Sequence, residues 1–141
     1  MTLDTDRSYA AAPLRQVSST LCTGGKMIIK HNTIKPIDFE KLEVIDFTAG
    51  QHNSSSFAEI TIPAGISHKL SWSNRSDKYY YVVQGKINFT LEDDSYELFA
   101  GDVCIVPKGK HFRYKNIGDT EAKLILVHTP RFKIEYEEFE E

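Results

Sequence analysis

Short runs of β-branched and aromatic residues, broken by turn formers about every ten positions, occupy this chain from Met27 to His128. Such punctuation leaves no room for long helices and belongs to sandwiches or barrels of antiparallel strands. The runs predict strands over Met27 to His31, Leu42 to Thr48, Phe57 to Ile62, Lys69 to Ser73, Tyr79 to Gln84, Ile87 to Leu91, Tyr96 to Phe99, Val103 to Val106, Phe112 to Lys115 and Lys123 to His128. Between them stand turn signals such as Pro63-Ala64-Gly65, Gly85-Lys86, Gly101-Asp102, Pro107-Lys108-Gly109 and Gly118-Asp119.

At 141 residues, a single compact domain is expected. Its body spans residues 26–134. Residues 1–25, rich in Ala, Ser, Thr and Gly, read as a loose arm, and residues 135–141 as an acidic, solvated tail. With 17 Lys and Arg against 20 Asp and Glu, the formal charge is -3, and no basic patch invites nucleic acid. Cys22 and Cys104 are far apart and form no C-x-x-C pair, which fits a reducing compartment. Neither a secretory leader nor a membrane-length apolar run is present, so a cytoplasmic protein without a membrane partner is expected.

Successive strand residues point to opposite faces, so alternation sorts the side chains. Phe112, Tyr114 and Asn116 form one inward row; Ile87, Phe89 and Leu91 form a second; Ala122, Leu124, Leu126 and His128 form a third. Between Lys69 and Asn74 the apolar parity is Leu70 and Trp72, carrying His68 and Asn74 with it.

The turn spacing resembles the cupin superfamily, small all-β jelly-roll barrels (double-stranded β-helices) marked by two glycine-bounded motifs. Gly101, five residues, Pro107, one residue, Gly109, six residues and Asn116 match the second motif. Gly65 and Tyr81-Val82-Val83-Gln84-Gly85 match the frame of the first, with 15 residues between Gly85 and Gly101. The resemblance implies a metal site of three histidines and a glutamate. Here Lys78 stands at the glutamate position and Phe112 at one histidine position, with His111 one residue early. The paired histidines are replaced by Trp72 and Asn74 or, with one more spacer residue, by Ser71 and Ser73; alternation favours Trp72 and Asn74. An ammonium and aromatic rings offer no ligand to a divalent ion, so no metal cofactor is expected.

What remains on that face is a candidate ligand site of Trp72, Asn74, Lys78, Tyr80, Phe112 and Tyr114, suited to a small polar or anionic molecule. Three alternatives accompany it. Lys78 with Tyr80 is a candidate for metal-free isomerase, epimerase or lyase chemistry. His68 and His128, with His111 or a carboxylate such as Glu59, are candidates for a displaced metal site. The same aromatics also suit plain filling of a narrow barrel in a structural dimer. An inward Lys78 must be paired, with Glu59 or Asp77 as candidates, or reach the rim. An outward row of Ile125 and Val127 favours a homodimer.

Overall fold

The structure, a computed structural model, describes residues 28–51 and 54–140. Among them are eleven strands: β1 (Ile37–Phe39), β2 (Leu42–Asp46), β3 (Ser56–Ile62), β4 (Ser67–Ser73), β5 (Asp77–Gln84), β6 (Lys86–Leu91), β7 (Asp94–Phe99), β8 (Val103–Val106), β9 (Phe112–Asn116), β10 (Ala122–Thr129) and β11 (Glu137–Phe139). They pair antiparallel into a six-stranded sheet, β1-β2-β3-β10-β5-β8, and a five-stranded sheet, β11-β4-β9-β6-β7. This is the jelly-roll fold expected from the turn spacing.

The core lies between the sheets. Ile60, Ile62, Tyr80, Val82 and Leu124 face it from one side, and Ile87, Phe89, Phe112 and Tyr114 from the other, all nearly inaccessible to solvent. The rows read by alternation on β6, β9 and β10 hold, because those strands run without interruption across the inner face. Phe89, Phe112 and Tyr114 lie near parallel, with centroids 5.5 to 6.4 Å apart. Tyr80 crosses them at 5.3 to 5.6 Å. Such contacts add to the apolar burial that holds the two sheets together. Asn116, at the end of the second motif, is committed to structure: its amide donates to the carbonyls of Ile62 and Thr120, and its carbonyl accepts from the Gly118 N–H.

Two expectations are corrected and one strand is added. Ile28 to Lys30 are not a strand, and His31–Thr33 form a 3-10 turn. β1, too short to stand out in the sequence, was not anticipated. The acidic C-terminal segment is not a solvated tail: after a 3-10 turn at Ile134–Tyr136, β11 pairs with β4 and buries Glu137. The expected arm over residues 1–25 lies outside the described residues.

Candidate functional site

The barrel is packed at one end and hollow at the other. A cavity of about 290 Å³ lies where β1, β2 and β3 meet β10 and the C-terminal segment. Its walls are mainly apolar, with Phe39, Ile60, Leu126, Phe132 and Phe139 prominent, and its polar groups are clustered. Lys78, Tyr80, Tyr114, His68, His128 and Glu137 all reach it.

Lys78 reaches this place because β5 alternates cleanly, burying Lys78, Tyr80 and Val82. Its partner is neither Glu59, which bonds His31 at 2.9 Å, nor Asp77, which accepts the Lys108 N–H. The Lys78 ammonium donates to Glu137 Oε1 at 2.7 Å and lies 4.7 Å from the centroid of the Phe112 ring. Both partners of the ion pair are buried. Burial lowers the Lys78 pKa, while the Glu137 charge opposes that shift.

Two histidines join this cluster. His128 sits opposite Lys78 across the β10–β5 ladder, and burial, helped by the Lys78 charge, lowers its pKa to about 3. His68 stacks near Phe112 and Tyr114, at 5.4 and 4.9 Å, and burial lowers its pKa to about 4. Both are neutral imidazoles near neutral pH. His68 Nδ1 lies 2.7 Å from the Lys69 carbonyl, which can only accept, so the proton of the neutral ring sits on Nδ1. Burial also pushes the Tyr80 and Tyr114 hydroxyls well above the ordinary tyrosine range, keeping both protonated.

Three buried polar atoms on the residues lining this cavity have no hydrogen-bond partner: the Tyr114 hydroxyl, His128 Nε2 and Glu137 Oε2. Buried polar groups are nearly always satisfied, and leaving one unmade costs about 1 to 3 kcal/mol. All three are covered by neighbouring atoms rather than open to the cavity.

Of the six expected ligand residues, Lys78, Tyr80 and Tyr114 line the cavity; Phe112 is core beside it. Trp72 and Asn74 are not brought there. Trp72 is half-buried and stacks on His111 at 4.0 Å, and Asn74 is exposed, donating to Glu138. The cause is a β-bulge: His68 pairs with Tyr114 and Ser71 with Phe112, so three steps on β4 oppose two on β9. Parity reverses across Lys69 and Leu70, and Ser71 and Ser73 face inward. His111, a candidate for a displaced metal site, is likewise outside, beside Glu92 at 3.6 Å.

Of the residues weighed as replacements for the expected metal ligands, Ser71, Ser73, Lys78 and Phe112 are the buried ones. Two hydroxyls, an engaged ammonium and a phenyl ring do not fit a divalent cation. Among the described residues no three His, Cys, Asp or Glu side chains are grouped to hold one. Cys104 is half-buried, and burial raises its pKa to about 11, which makes it a poor nucleophile.

Sequence reasoning missed Glu137 and the apolar walls from β1 and the C-terminal segment. A faint signal existed in the apolar residues, Tyr136 and Phe139, set among the glutamates.

With the fold and cavity in place, the chain's kinship follows. It belongs to the cupin-domain family, whose profile matches residues 58–128, half of its length. An uncharacterized protein of Methanocaldococcus jannaschii is 28% identical over 80 residues, covering 57% of this chain and 64% of that protein. The chain spans less than two thirds of the curated relatives it matches. Among solved structures, the nucleoside dehydratase Pac13 superposes with a TM-score of 0.72 at 20% identity, covering 82% of this chain and 92% of that one. Variants of the Streptomyces protein were solved with uridine. KdgF from a Halomonas species superposes with a TM-score of 0.70 at 18% identity, covering 79% and 99%. At these identities the likeness is one of fold. No helix among the described residues is long and apolar enough to cross a membrane.

Proposed function

We propose that this cupin binds a small organic molecule in its barrel cavity without a metal ion, and that Lys78, Glu137, His128, His68, Tyr80 and Tyr114 form the polar end of the site. The observation that carries this reading is the cavity of about 290 Å³ itself, with mainly apolar walls and with Lys78, Glu137, His128, His68, Tyr80 and Tyr114 on its lining. The cavity is at the small end of the range for ligand sites, which suits a single compact molecule. That the similarly folded Pac13 was solved with uridine supports a small organic ligand for a chain of this fold. Of the two ligand chemistries expected from sequence, the polar one is favoured over the anionic, because Lys78 is already paired.

The test for binding is a thermal-shift screen of a metabolite collection on the native chain and on Ala58→Phe, which fills the cavity from β3. Compounds that raise the melting temperature of the native chain alone support the reading. Hits that stabilise both proteins equally, or no hits at all, overturn it.

A further inference from the structure

Resting on the binding reading above, we infer that the ligand has two parts: a body in the barrel cavity, and an anionic group, phosphate or carboxylate, held by Arg131 and Lys133 in a second pocket beside it. That pocket measures about 230 Å³. Asp46, Ser56, Phe132 and Ile134 line both chambers, so the two adjoin. Past the end of β10 the sequence alternates Arg131, Phe132, Lys133, Ile134, and the chambers divide these residues by the same alternation. Phe132 and Ile134 form part of the shared boundary, whereas Arg131 and Lys133 line the second pocket alone. The barrel side is mainly apolar, and the second pocket adds the hydroxyls of Thr48 and Ser55 to its two cations.

The charges of the second pocket favour an anion. Among the described residues, neither cation makes a salt bridge. The Arg131 guanidinium has one long hydrogen bond, 3.5 Å to the Gln51 carbonyl, and the Lys133 ammonium has none. The pocket's carboxylate, Asp46, is turned to its own strand end, where Oδ1 accepts from the Thr48 N–H at 3.0 Å and from the Thr48 hydroxyl at 3.2 Å. Two cations against one carboxylate leave a local positive balance in a chain whose formal charge is -3. Both basic side chains are half-buried, which strengthens their pull on an anion through reduced screening and leaves that anion part of its hydration. A guanidinium and an ammonium together suit phosphate or carboxylate oxygens through charge-assisted hydrogen bonds. Inside the barrel, Lys78 is taken by Glu137 at 2.7 Å, so a negative charge on the ligand finds its partners in the adjoining pocket.

The experiment titrates the full chain near neutral pH with three probes that share one body: 2-naphthylmethanol, 2-naphthylmethyl phosphate and 2-naphthylacetate. Binding is read by calorimetry in the native chain, in Ala58→Phe, whose residue lines the barrel cavity alone, and in Arg131→Gln combined with Lys133→Gln. The expected result is that at least one anion binds about tenfold more tightly than the alcohol, and that salt at about 0.5 M narrows this margin. The double variant should bring the anions to the level of the alcohol and leave the alcohol itself unchanged. The anion that leads distinguishes phosphate from carboxylate. If the alcohol binds as tightly as both anions, or the double variant keeps the margin, while Ala58→Phe removes binding, the anion pocket is overturned and the barrel remains the binding site. If no probe binds, or Ala58→Phe leaves all binding unchanged, both readings fall. Should the double variant not fold, Lys133→Gln alone, which gives up no hydrogen bond among the described residues, carries the same comparison.

Discussion

Lys78 and Glu137 lie 59 positions apart in sequence and meet between the two sheets, each the other's compensation for burial. Removing one partner strands a charge. Lys78→Met or Glu137→Gln should each cost about 3 to 5 kcal/mol in denaturant unfolding, and Lys78→Met with Glu137→Leu together should cost clearly less than the sum. The neighbouring histidines give the fold a pH dependence of definite sign. Both are held neutral in the folded chain, with pKa values of about 4 and about 3 against an ordinary 6.5. The unfolded chain therefore takes up protons first as pH falls through 6.5, and stability declines from there toward about 4. Each histidine contributes at most about 1.4 kcal/mol per pH unit in that window, and His128→Phe should flatten the slope in pH-dependent thermal melts. Lys78 was legible in the sequence as a buried cation in need of a partner, because β5 alternates regularly from Asp77 to Val82. Glu137 was not, since nothing local distinguishes it from the four other glutamates of the C-terminal segment.

At the scale of elements, turns were the most readable feature and short edge strands the least. β1 and β11 have three residues each and owe their pairing to the strands beside them, so no periodicity of their own announces them. Gly85, between β5 and β6, illustrates a turn fixed twice over. Its φ is +86°, and a Cβ there would lie 2.9 Å from the Cβ of Ala122. Gly85→Ala should cost about 2 to 4 kcal/mol in equilibrium unfolding. Gly101→Ala, at φ +98° with open space around it, should cost less and serves as the control. The bulge in β4 marks the limit of alternation as a guide. One extra residue carried Trp72 and Asn74 to the wrong face in a reading that was correct for β5, β9 and β10.

For the whole molecule, the outer face of the six-stranded sheet bears Phe57, Tyr79, Tyr81, Val83, Val103 and Ile105, each more than a third exposed. The expected outward row of Ile125 and Val127 lies between them on β10, half-buried by these neighbours. A continuous apolar face of this kind fits a homodimer. Light scattering should return twice the 16.1 kDa chain mass, and Tyr81→Arg with Ile105→Arg should return it to 16.1 kDa with the melting transition retained. A native chain that runs as a monomer at all concentrations would contradict the dimer. The global fold was legible because many turns vote on it together, whereas the cavity depends on a few side chains brought in from both ends of the described chain. The extra residue in β4 has a consequence for descent as well. Losing Lys69 or Leu70 would set two steps against two and still leave His68 and Ser71 on the same side. Gaining a residue between Ser71 and Ser73 would turn the strand's remainder over. A one-codon deletion at the bulge therefore keeps the facing of the strand on both sides of it, while a one-codon insertion two residues later reverses the facing of all that follows.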